Sequence, residues 1–274
     1  MKKFILLLLM IFGFATTASA TSIGFDATGS SNFTQIDNIV YQTDTGLAVG
    51  YDADKTVPSE DAPYDVDFIL QGAVGTASLD GEIQNIFPVP FDKEWTFTTR
   101  FTETVISQLI NPSGHQVASF EYGEDTSALF NMYIDDRTDQ TDGSITADPN
   151  TAQGYNDGLN IFTGHLLSLT SSFDAVIPGE LGTGSFDVEV AVDWYDPNYL
   201  ELTQETFLYR FVTTGTLNQP SRYEPDNMWD GTATNTGIML KFDGSSNFEV
   251  IPEPGTFFLF GFGLLGVAAY KRKK

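Results

Sequence analysis

Four closely spaced carboxylates are the first residues whose types and spacing suggest chemistry. Asp135, Asp136, Asp139 and Asp142 lie within eight residues of one another. Ca²⁺ takes six to eight oxygen ligands in a flexible geometry, so a crowded acidic loop of this kind is a candidate calcium site. The spacing differs from that of an EF-hand, because three of these residues lie at offsets of 0, 4 and 7. Two interpretations stay open: a solvated acidic loop, which we favour, and a calcium site.

A second acidic group lies nearer the N-terminus and has the same two interpretations. Asp52, Asp54, Glu60 and Asp61 fall within one polar stretch. Zinc is not expected at either group, because the chain has two His and no Cys, whereas zinc sites in proteins are built mainly from these two residue types. We therefore predict no certain cofactor, with calcium as the one candidate.

The residues that carry nucleophilic catalysis are scarce. The chain has no Cys and no G-x-S-x-G nucleophile motif. His115 lies in a polar turn and His165 borders an apolar run. Carboxylates are abundant, but a glycosidase needs a matched pair with one member in an apolar environment, and neither Glu103 nor Glu189 stands out. We predict that the protein is not an enzyme, with a secreted polysaccharide-active enzyme as the alternative.

Aromatic side chains offer a possible contact for sugars, whose rings stack on exposed Trp and Tyr. Trp229 and Tyr223 lie in a polar stretch that we interpret as a loop, and we assign them as a glycan-contact candidate. Trp95 and Trp194 lie at apolar positions of alternating segments, so we predict that both belong to the core.

The elements that must position these residues are β-strands with one buried and one solvent-exposed face. From Phe186 to Trp194, apolar residues alternate with Asp and Glu, and Trp95, Phe97 and Phe101 repeat the pattern. Further alternating runs are Val66/Phe68/Leu70, Phe130/Met132/Ile134 and Phe207/Tyr209/Phe211. Residues 165–172 are the one segment of the body that could form a short helix, and their apolar residues fit the period of a strand about as well as that of a helix. We predict one all-β domain over residues 21–249, an antiparallel β-sandwich or jelly-roll-like fold.

The N-terminus has the three regions of a secretory signal peptide, in order. A basic start precedes the apolar run from Phe4 to Phe14, and Ala18 and Ala20 form the small-residue cleavage site. We predict that residues 1–20 are a signal peptide and that signal peptidase cuts before Thr21. The mature protein is then exported.

The C-terminus combines three features within residues 250–274. Pro252, Glu253 and Pro254 precede an apolar stretch of 15 residues, which the basic cluster Lys271, Arg272, Lys273 and Lys274 closes. As a helix the stretch is about 22 Å long, short for a span but able to sit in a bilayer. Basic residues tend to stay on the cytoplasmic side, so we predict a C-terminal transmembrane helix with the β domain outside.

This C-terminal order resembles the PEP-CTERM sorting signal of Gram-negative bacteria. The resemblance implies processing by an exosortase, an integral-membrane cysteine protease, and an association with exopolysaccharide. The body loosely resembles the flocculation-associated PEP-CTERM proteins, which implies a role in aggregation. The residues that carry this second resemblance are Phe25-Asp26, residues 101–105, residues 132–135 and residues 154–161.

The charge distribution limits the partners. The formal net charge is −24, and six of the 13 basic residues lie in two clusters at the chain ends, which leaves 7 basic against 37 acidic residues, or −30, between the two clusters. Nucleic acid is excluded as a partner, because its binding needs Lys and Arg patches. Hydrophobic residues make up 41% of the chain, so the body is not a disordered acidic segment.

These observations lead to one functional hypothesis and two alternatives. We expect a secreted or cell-surface protein of a Gram-negative bacterium, transiently anchored in the inner membrane, that associates with exopolysaccharide and aids aggregation, flocculation or biofilm formation. The alternatives are a secreted polysaccharide-active enzyme and a calcium-dependent carbohydrate-binding module.

Overall fold

A computed structural model describes residues 22–87, 93–123, 128–136, 145–202, 208–219 and 221–251. These residues form fourteen β-strands and one short 3-10 helix, Thr234–Thr236. Every strand pairing in this part of the chain is antiparallel, which confirms the all-β antiparallel prediction. None of the helical residues described here forms a segment long and apolar enough to span a membrane.

The strands are β1 (Ile23–Phe25), β2 (Thr34–Ile36), β3 (Asn38–Tyr41), β4 (Asp44–Val49), β5 (Tyr64–Leu79), β6 (Glu82–Gln84), β7 (Lys93–Ile110), β8 (Gln116–Tyr122), β9 (Leu129–Asp136), β10 (Leu159–Ile177), β11 (Leu181–Tyr195), β12 (Leu200–Glu201), β13 (Leu208–Gln219) and β14 (Gly237–Ile251). Six of them, β5, β7, β10, β11, β13 and β14, are at least 12 residues long. These long strands carry most of the sheet.

The sequence of β7 shows why these segments become strands. Trp95, Phe97 and Phe101 are 1%, 1% and 3% exposed, while Thr and Arg side chains alternate with them. β-branched and aromatic residues favour a pleated surface, and the period of two turns the aromatic set to one face. The same alternation buries Val66, Phe68 and Leu70 on β5 and Phe130, Met132 and Ile134 on β9, as predicted.

The path of strand pairings closes on itself. It runs β5–β7–β9–β10–β11–β13–β14–β4 and returns to β5. Shorter strands share positions between long ones: β8 and β9 both join β7 to β10, and β3 and β4 both join β14 to β5. The inner face of this one closed sheet therefore surrounds the core.

Aromatic rings fill this core. Phe25 stacks on Trp95 with ring centroids 4.2 Å apart, and Phe97 stacks on Phe130 at 5.2 Å. Tyr41 packs against Phe97 at 4.5 Å. Offset and edge-to-face aromatic pairs contribute beyond their buried area, which suits a chain without disulfides.

A small second sheet is organised by one aspartate. Strand β1 pairs with β2 and β12, and Asp26 begins the loop between β1 and β2. Burial alone would raise the pKa of Asp26, but hydrogen bonds from Thr28, Asn32 and Ser30 stabilise the carboxylate and lower its pKa to about 2. Asp26 therefore fixes the loop in its ionised form.

One sequence prediction about an individual element is wrong, and the choice between helix and strand that the sequence left open at residues 165–172 is decided. Trp194 was predicted to lie in the core but is 49% exposed. An extra residue at Asp193 forms a β-bulge that shifts the register between β10 and β11, and side chains after the bulge point to the opposite face. Residues 165–172 belong to β10 and not to a helix, because their alternation lets them pair with β9, β8 and β11. Phe207 and the side chains of Tyr209 and Phe211 lie outside the described part of the chain, although β13 itself is a strand.

Candidate functional site

The predicted sorting signal begins where the last strand ends. Strand β14 continues to Ile251, and Val250 and Ile251 pair with Tyr209 and Leu208 of β13. Pro252, Glu253, Pro254 and the basic cluster Lys271, Arg272, Lys273 and Lys274 lie outside the described residues, as do Ala18, Ala20 and Thr21. The signal is therefore joined to the sheet without an intervening described loop.

The acidic loop is described only at its start. Asp135 and Asp136 end β9, where Asp135 is 6% exposed and Asp136 forms an ion pair of 3.0 Å with Lys93. Asp139 and Asp142 lie outside the described residues. The calcium assignment of these four aspartates stays a prediction.

The second acidic group lies at local turns near the N-terminal part of the sheet. Asp52 accepts a hydrogen bond from the backbone N–H of Asp54, and Asp61 accepts one from Thr56. No group of three or more His, Cys, Asp or Glu comes together to hold an ion within the described ranges, which include this whole stretch. Asp52 and Asp61 thus cap local turns, and the calcium interpretation of this group stays a prediction.

The glycan-contact candidates lie in the segment between β13 and β14. Trp229 is half-buried against a small apolar cluster of Leu47, Ile69 and Met228. Tyr223 is half-buried, with the Arg222 guanidinium over its ring. The assignment of these two residues to glycan contact stays a prediction.

Arg100 links this segment to the main sheet. Its guanidinium contacts Asp67 on β5 at 2.8 Å and Asp230 beside Trp229 at 2.9 Å. The side chains of Arg100, Asp67 and Asp230 are 48%, 32% and 12% exposed, so both ion pairs are partly accessible to solvent, the one with Asp230 less so. The contacts orient the segment between β13 and β14 over the Leu47 cluster.

The two histidines each pair with one aspartate. The Nδ1 atom of His115 lies 3.0 Å from Asp174, and that of His165 lies 2.7 Å from Asp193. The histidine side chains are 33% and 35% exposed, respectively. Both pairs are cross-strand contacts near the surface of the sheet.

Sequence reasoning missed a buried acid on β7. Glu103 is 1% exposed and lines an apolar pocket, and burial raises its pKa to about 7. Its Oε2 atom accepts a hydrogen bond of 2.7 Å from Ser171, whereas Oε1 is buried without a hydrogen-bond partner. Buried polar atoms without a partner are rare in folded proteins, so this one needs an explanation.

A second buried acid, Asp44 at the start of β4, was also missed. Its Oδ2 accepts a hydrogen bond of 2.5 Å from Tyr155, and its Oδ1 accepts one of 2.7 Å from the N–H of Thr45. Burial raises the pKa of Asp44 to about 7, and the nearby carboxylate of Glu94 adds to the effect. Glu94 is 4% exposed and accepts a hydrogen bond from the N–H of Ala147. Asp44, Glu94 and Tyr155 thus form one buried polar network.

One of these acids carried a signal in the sequence. Glu103 has the same parity as Trp95, Phe97, Phe101 and Val105, so strict alternation places it on the buried face of β7. An acid at such a position is the informative exception in an alternating strand. Asp44 carried no such signal, because its partners come from distant parts of the chain.

Comparison with known proteins identifies a targeting signal at the C-terminus. The family model described as the PEP-CTERM protein-sorting motif matches residues 250–273, at the C-terminus. The chain therefore carries a PEP-CTERM sorting motif at its C-terminus, which implies an exosortase-dependent protein exported to the cell surface. None of the curated proteins and none of the solved structures that were compared matches it.

Proposed function

We propose that the protein is a non-enzymatic component of the cell surface or extracellular matrix of a Gram-negative bacterium. In this proposal it is anchored transiently in the inner membrane, is processed by exosortase, and then associates with exopolysaccharide to promote aggregation, flocculation or biofilm formation. The observation that carries the proposal is the sorting motif at residues 250–273, joined directly to the last strand of an acidic β domain.

The acidic body supports a role in a hydrated matrix. Residues 21–249 have 7 basic and 36 acidic residues, and this charge of −29 keeps the domain soluble and repels anionic lipid and nucleic acid. The chain has no Cys, so its stability comes from the aromatic core and the closed pairing path rather than from disulfides. A domain built this way keeps its fold in either redox state of its surroundings.

Truncation at the strand boundary tests the proposal. A chain ending at Ile251 keeps every residue of β14 and loses the motif, whereas the full chain serves as the control. We expect the truncated protein to leave the cell surface and the cells to aggregate less. Equal cooperative thermal unfolding of the two exported proteins would show that the domain is intact. Unchanged location together with unchanged aggregation would refute the proposal.

A calcium-dependent carbohydrate-binding module is a second candidate, favoured by the acidic loop that starts at Asp135 and Asp136. An ion that binds only the folded state raises the melting temperature in proportion to the logarithm of its concentration. A calcium titration of the domain, with Asp139→Asn/Asp142→Asn as the matched variant, tests this candidate. An equal response of both proteins would exclude a site at this loop.

A polysaccharide-active enzyme is the third candidate, favoured by the buried carboxylic acids. A glycosidase needs one carboxyl group that stays protonated near neutral pH. Asp44 and Glu103 both meet this requirement, since burial raises the pKa of each to about 7. Release of reducing ends from the cell's own matrix polymer, lost in Asp44→Asn or Glu103→Gln, would favour the enzyme over the matrix component.

A further inference from the structure

One aromatic side chain on the surface of the sheet has a free face. Trp194 is 49% exposed, whereas every other aromatic side chain that the structure describes is buried or half-buried. Trp229 and Tyr223 are among the half-buried ones, and each has a face covered by a neighbour. The β-bulge at Asp193 turns Trp194 away from the core, and bulges often occur beside functional sites because they redirect a side chain in this way.

Two polar side chains continue the row that Trp194 begins. Trp194 lies directly opposite Thr163 on β10, which in turn lies directly opposite Asn131 on β9. Residues that pair in this way point to the same face of a sheet, and neighbouring strands are about 4.8 Å apart, so the row spans about 10 Å of the outer face. The row is long enough for more than one sugar ring.

Hydrogen bonds hold the polar groups of this row in place. The Oγ1 of Thr163 donates a hydrogen bond of 2.9 Å to the Oδ1 of Asn131, and the Nδ2 of Asn160 donates to the same oxygen at 3.3 Å. With its oxygen engaged, Asn131 presents its Nδ2 group as a donor. At the next outward position of β10, the Nδ1 atom of His165 lies 2.7 Å from Asp193, which leaves Nε2 as an acceptor in the neutral ring. We call this set the Trp194 surface: Trp194, Thr163, Asn131, Asn160 and His165.

We propose that the Trp194 surface binds a neutral polysaccharide chain of hexopyranose units. A sugar ring has an apolar C–H face that stacks on an indole, and its hydroxyl groups both donate and accept hydrogen bonds. Trp194 supplies the aromatic face and its Nε1 donor, Asn131 supplies a second donor and His165 supplies an acceptor. The inference rests on the proposed association with exopolysaccharide and names the surface that makes it.

Other partners fit the Trp194 surface less well. An acidic polysaccharide or a nucleic acid would meet a domain of charge −29, which repels it, and a second copy of the chain carries the same charge. A protein partner needs a continuous apolar centre to its interface. The two exposed apolar side chains here, Trp194 and Leu129, lie on different strands, and Thr163 and His165 of β10 separate them.

Binding of cellotetraose and mannotetraose, two neutral hexose oligosaccharides, tests the proposal. The full chain is measured in a zwitterionic detergent, because a sugar-based detergent would compete for the site. We expect calorimetry to detect binding of at least one of the two. We expect the acidic tetragalacturonate to bind at least about tenfold more weakly, because the domain repels it. No binding of either neutral oligosaccharide, or tighter binding of tetragalacturonate, would overturn the proposal.

Trp194→Ala is the decisive variant, because it removes the aromatic face at an exposed position. Leu181→Ala is the matched control, since Leu181 is 44% exposed and lies at the opposite end of the same strand, β11. We expect Trp194→Ala to weaken binding of the neutral oligosaccharide at least about tenfold, the size typical of a central aromatic contact. We expect Leu181→Ala to bind as the wild type does. Wild-type affinity in Trp194→Ala, or equal loss in both variants, would refute the assignment.

A measurement on the wild type keeps the test valid if the variant fails to fold. The chain has three Trp, of which Trp194 is the exposed one, because Trp95 is 1% exposed and Trp229 is half-buried. Acrylamide quenches the fluorescence of accessible indoles and is neutral, so the acidic domain does not repel it. We expect the bound oligosaccharide to protect the fluorescence from quenching. Binding that leaves the quenching unchanged would place the sugar elsewhere and overturn the proposal.

Aggregation of cells separates this inference from the proposed function. The chain truncated after Ile251 reports on sorting, and full-length Trp194→Ala reports on the Trp194 surface. We expect both to reduce aggregation. A reduction by the truncation alone would leave the proposed function in place and refute a role of the Trp194 surface. Unchanged location and aggregation after truncation would refute the proposed function, and the oligosaccharide titration would still decide whether the Trp194 surface binds sugar.

Discussion

Replacing Asp44 by asparagine tests the buried network of Asp44, Glu94 and Tyr155. The carboxyl group of Asp44 is 2% exposed and receives hydrogen bonds from Tyr155 and from the backbone of Thr45. Asparagine has nearly the same shape and stays neutral at every pH. The variant therefore resembles the protonated form of the wild-type side chain.

The size of the effect follows from the pKa of Asp44. Burial raises this pKa from 3.8 to about 7, so the folded state holds a proton that the unfolded state has already lost. Because the folded state binds more protons, the free energy of unfolding falls as the pH rises between these two values. With about 1.4 kcal/mol for each pKa unit, the wild type loses up to about 4 kcal/mol from this one group.

The assay compares urea unfolding of the wild type and Asp44→Asn between about pH 4 and about pH 8, followed by tryptophan fluorescence. The other titrating groups are common to both proteins and cancel in the difference. We expect the two free energies of unfolding to be closest near pH 4. As the pH rises, the free energy of unfolding of the variant relative to that of the wild type should increase by up to about 4 kcal/mol.

Two outcomes would contradict this reasoning. A difference between the two proteins that stays constant across the pH range would show that Asp44 has an ordinary pKa in the folded state. A difference that moves in favour of the wild type at high pH would show that the network stabilises the ionised carboxylate. Glu121→Gln, at an exposed acid on β8, controls for the general effect of removing a carboxylate when it is measured in the same way.

Three further predictions concern the core, a loop and a surface contact. Phe97→Ala should lower the free energy of unfolding by about 3–5 kcal/mol, while Ile83→Ala, at a side chain that is 75% exposed, should change it by less than about 0.5 kcal/mol; similar losses would place the core elsewhere. Asp26→Asn should lower the free energy of unfolding by about 1–2 kcal/mol at neutral pH, because the ionised carboxylate of Asp26, with its lowered pKa, stabilises the fold above about pH 4. Urea unfolding should show that this difference between variant and wild type disappears as the pH falls through about 2. Arg100→Met should lower the free energy of unfolding by less than about 1 kcal/mol but should speed amide hydrogen exchange in residues 221–236. Unchanged exchange would mean that the two ion pairs of Arg100 do not hold this segment in place.

The strands of the main sheet were predictable because their side chains alternate with a period of two. Trp95, Phe97 and Phe101 fixed the buried face of β7, and Phe68 and Phe130 did the same for its neighbours. The alternation is reversed near the end of β11, where the register with β10 shifts. At Asp193 a single extra residue turned Trp194 outward, and nothing in the local sequence distinguishes this bulge from a regular strand.

The candidate sites were predictable to different degrees. Glu103 was open to prediction, because its position in the alternation of β7 puts an acid among buried aromatic residues. The network around Asp44 was not, since Tyr155 lies 111 residues away and meets it only through the closed pairing path. The sorting motif could be predicted without knowledge of the fold, because it is defined by the order of residue types along the chain.

The order in which export delivers the chain has a consequence for folding. Tyr41 on β3 contacts Ser246 on β14 at 2.8 Å, although 205 residues separate them. Translocation starts from the N-terminus, so β3 and β4 emerge long before the strand with which they must pair. We expect the sheet to remain open until residue 251 has crossed, which makes closure of the domain and arrival of the sorting motif at the membrane nearly simultaneous. The sorting protease then encounters a domain that has only just closed.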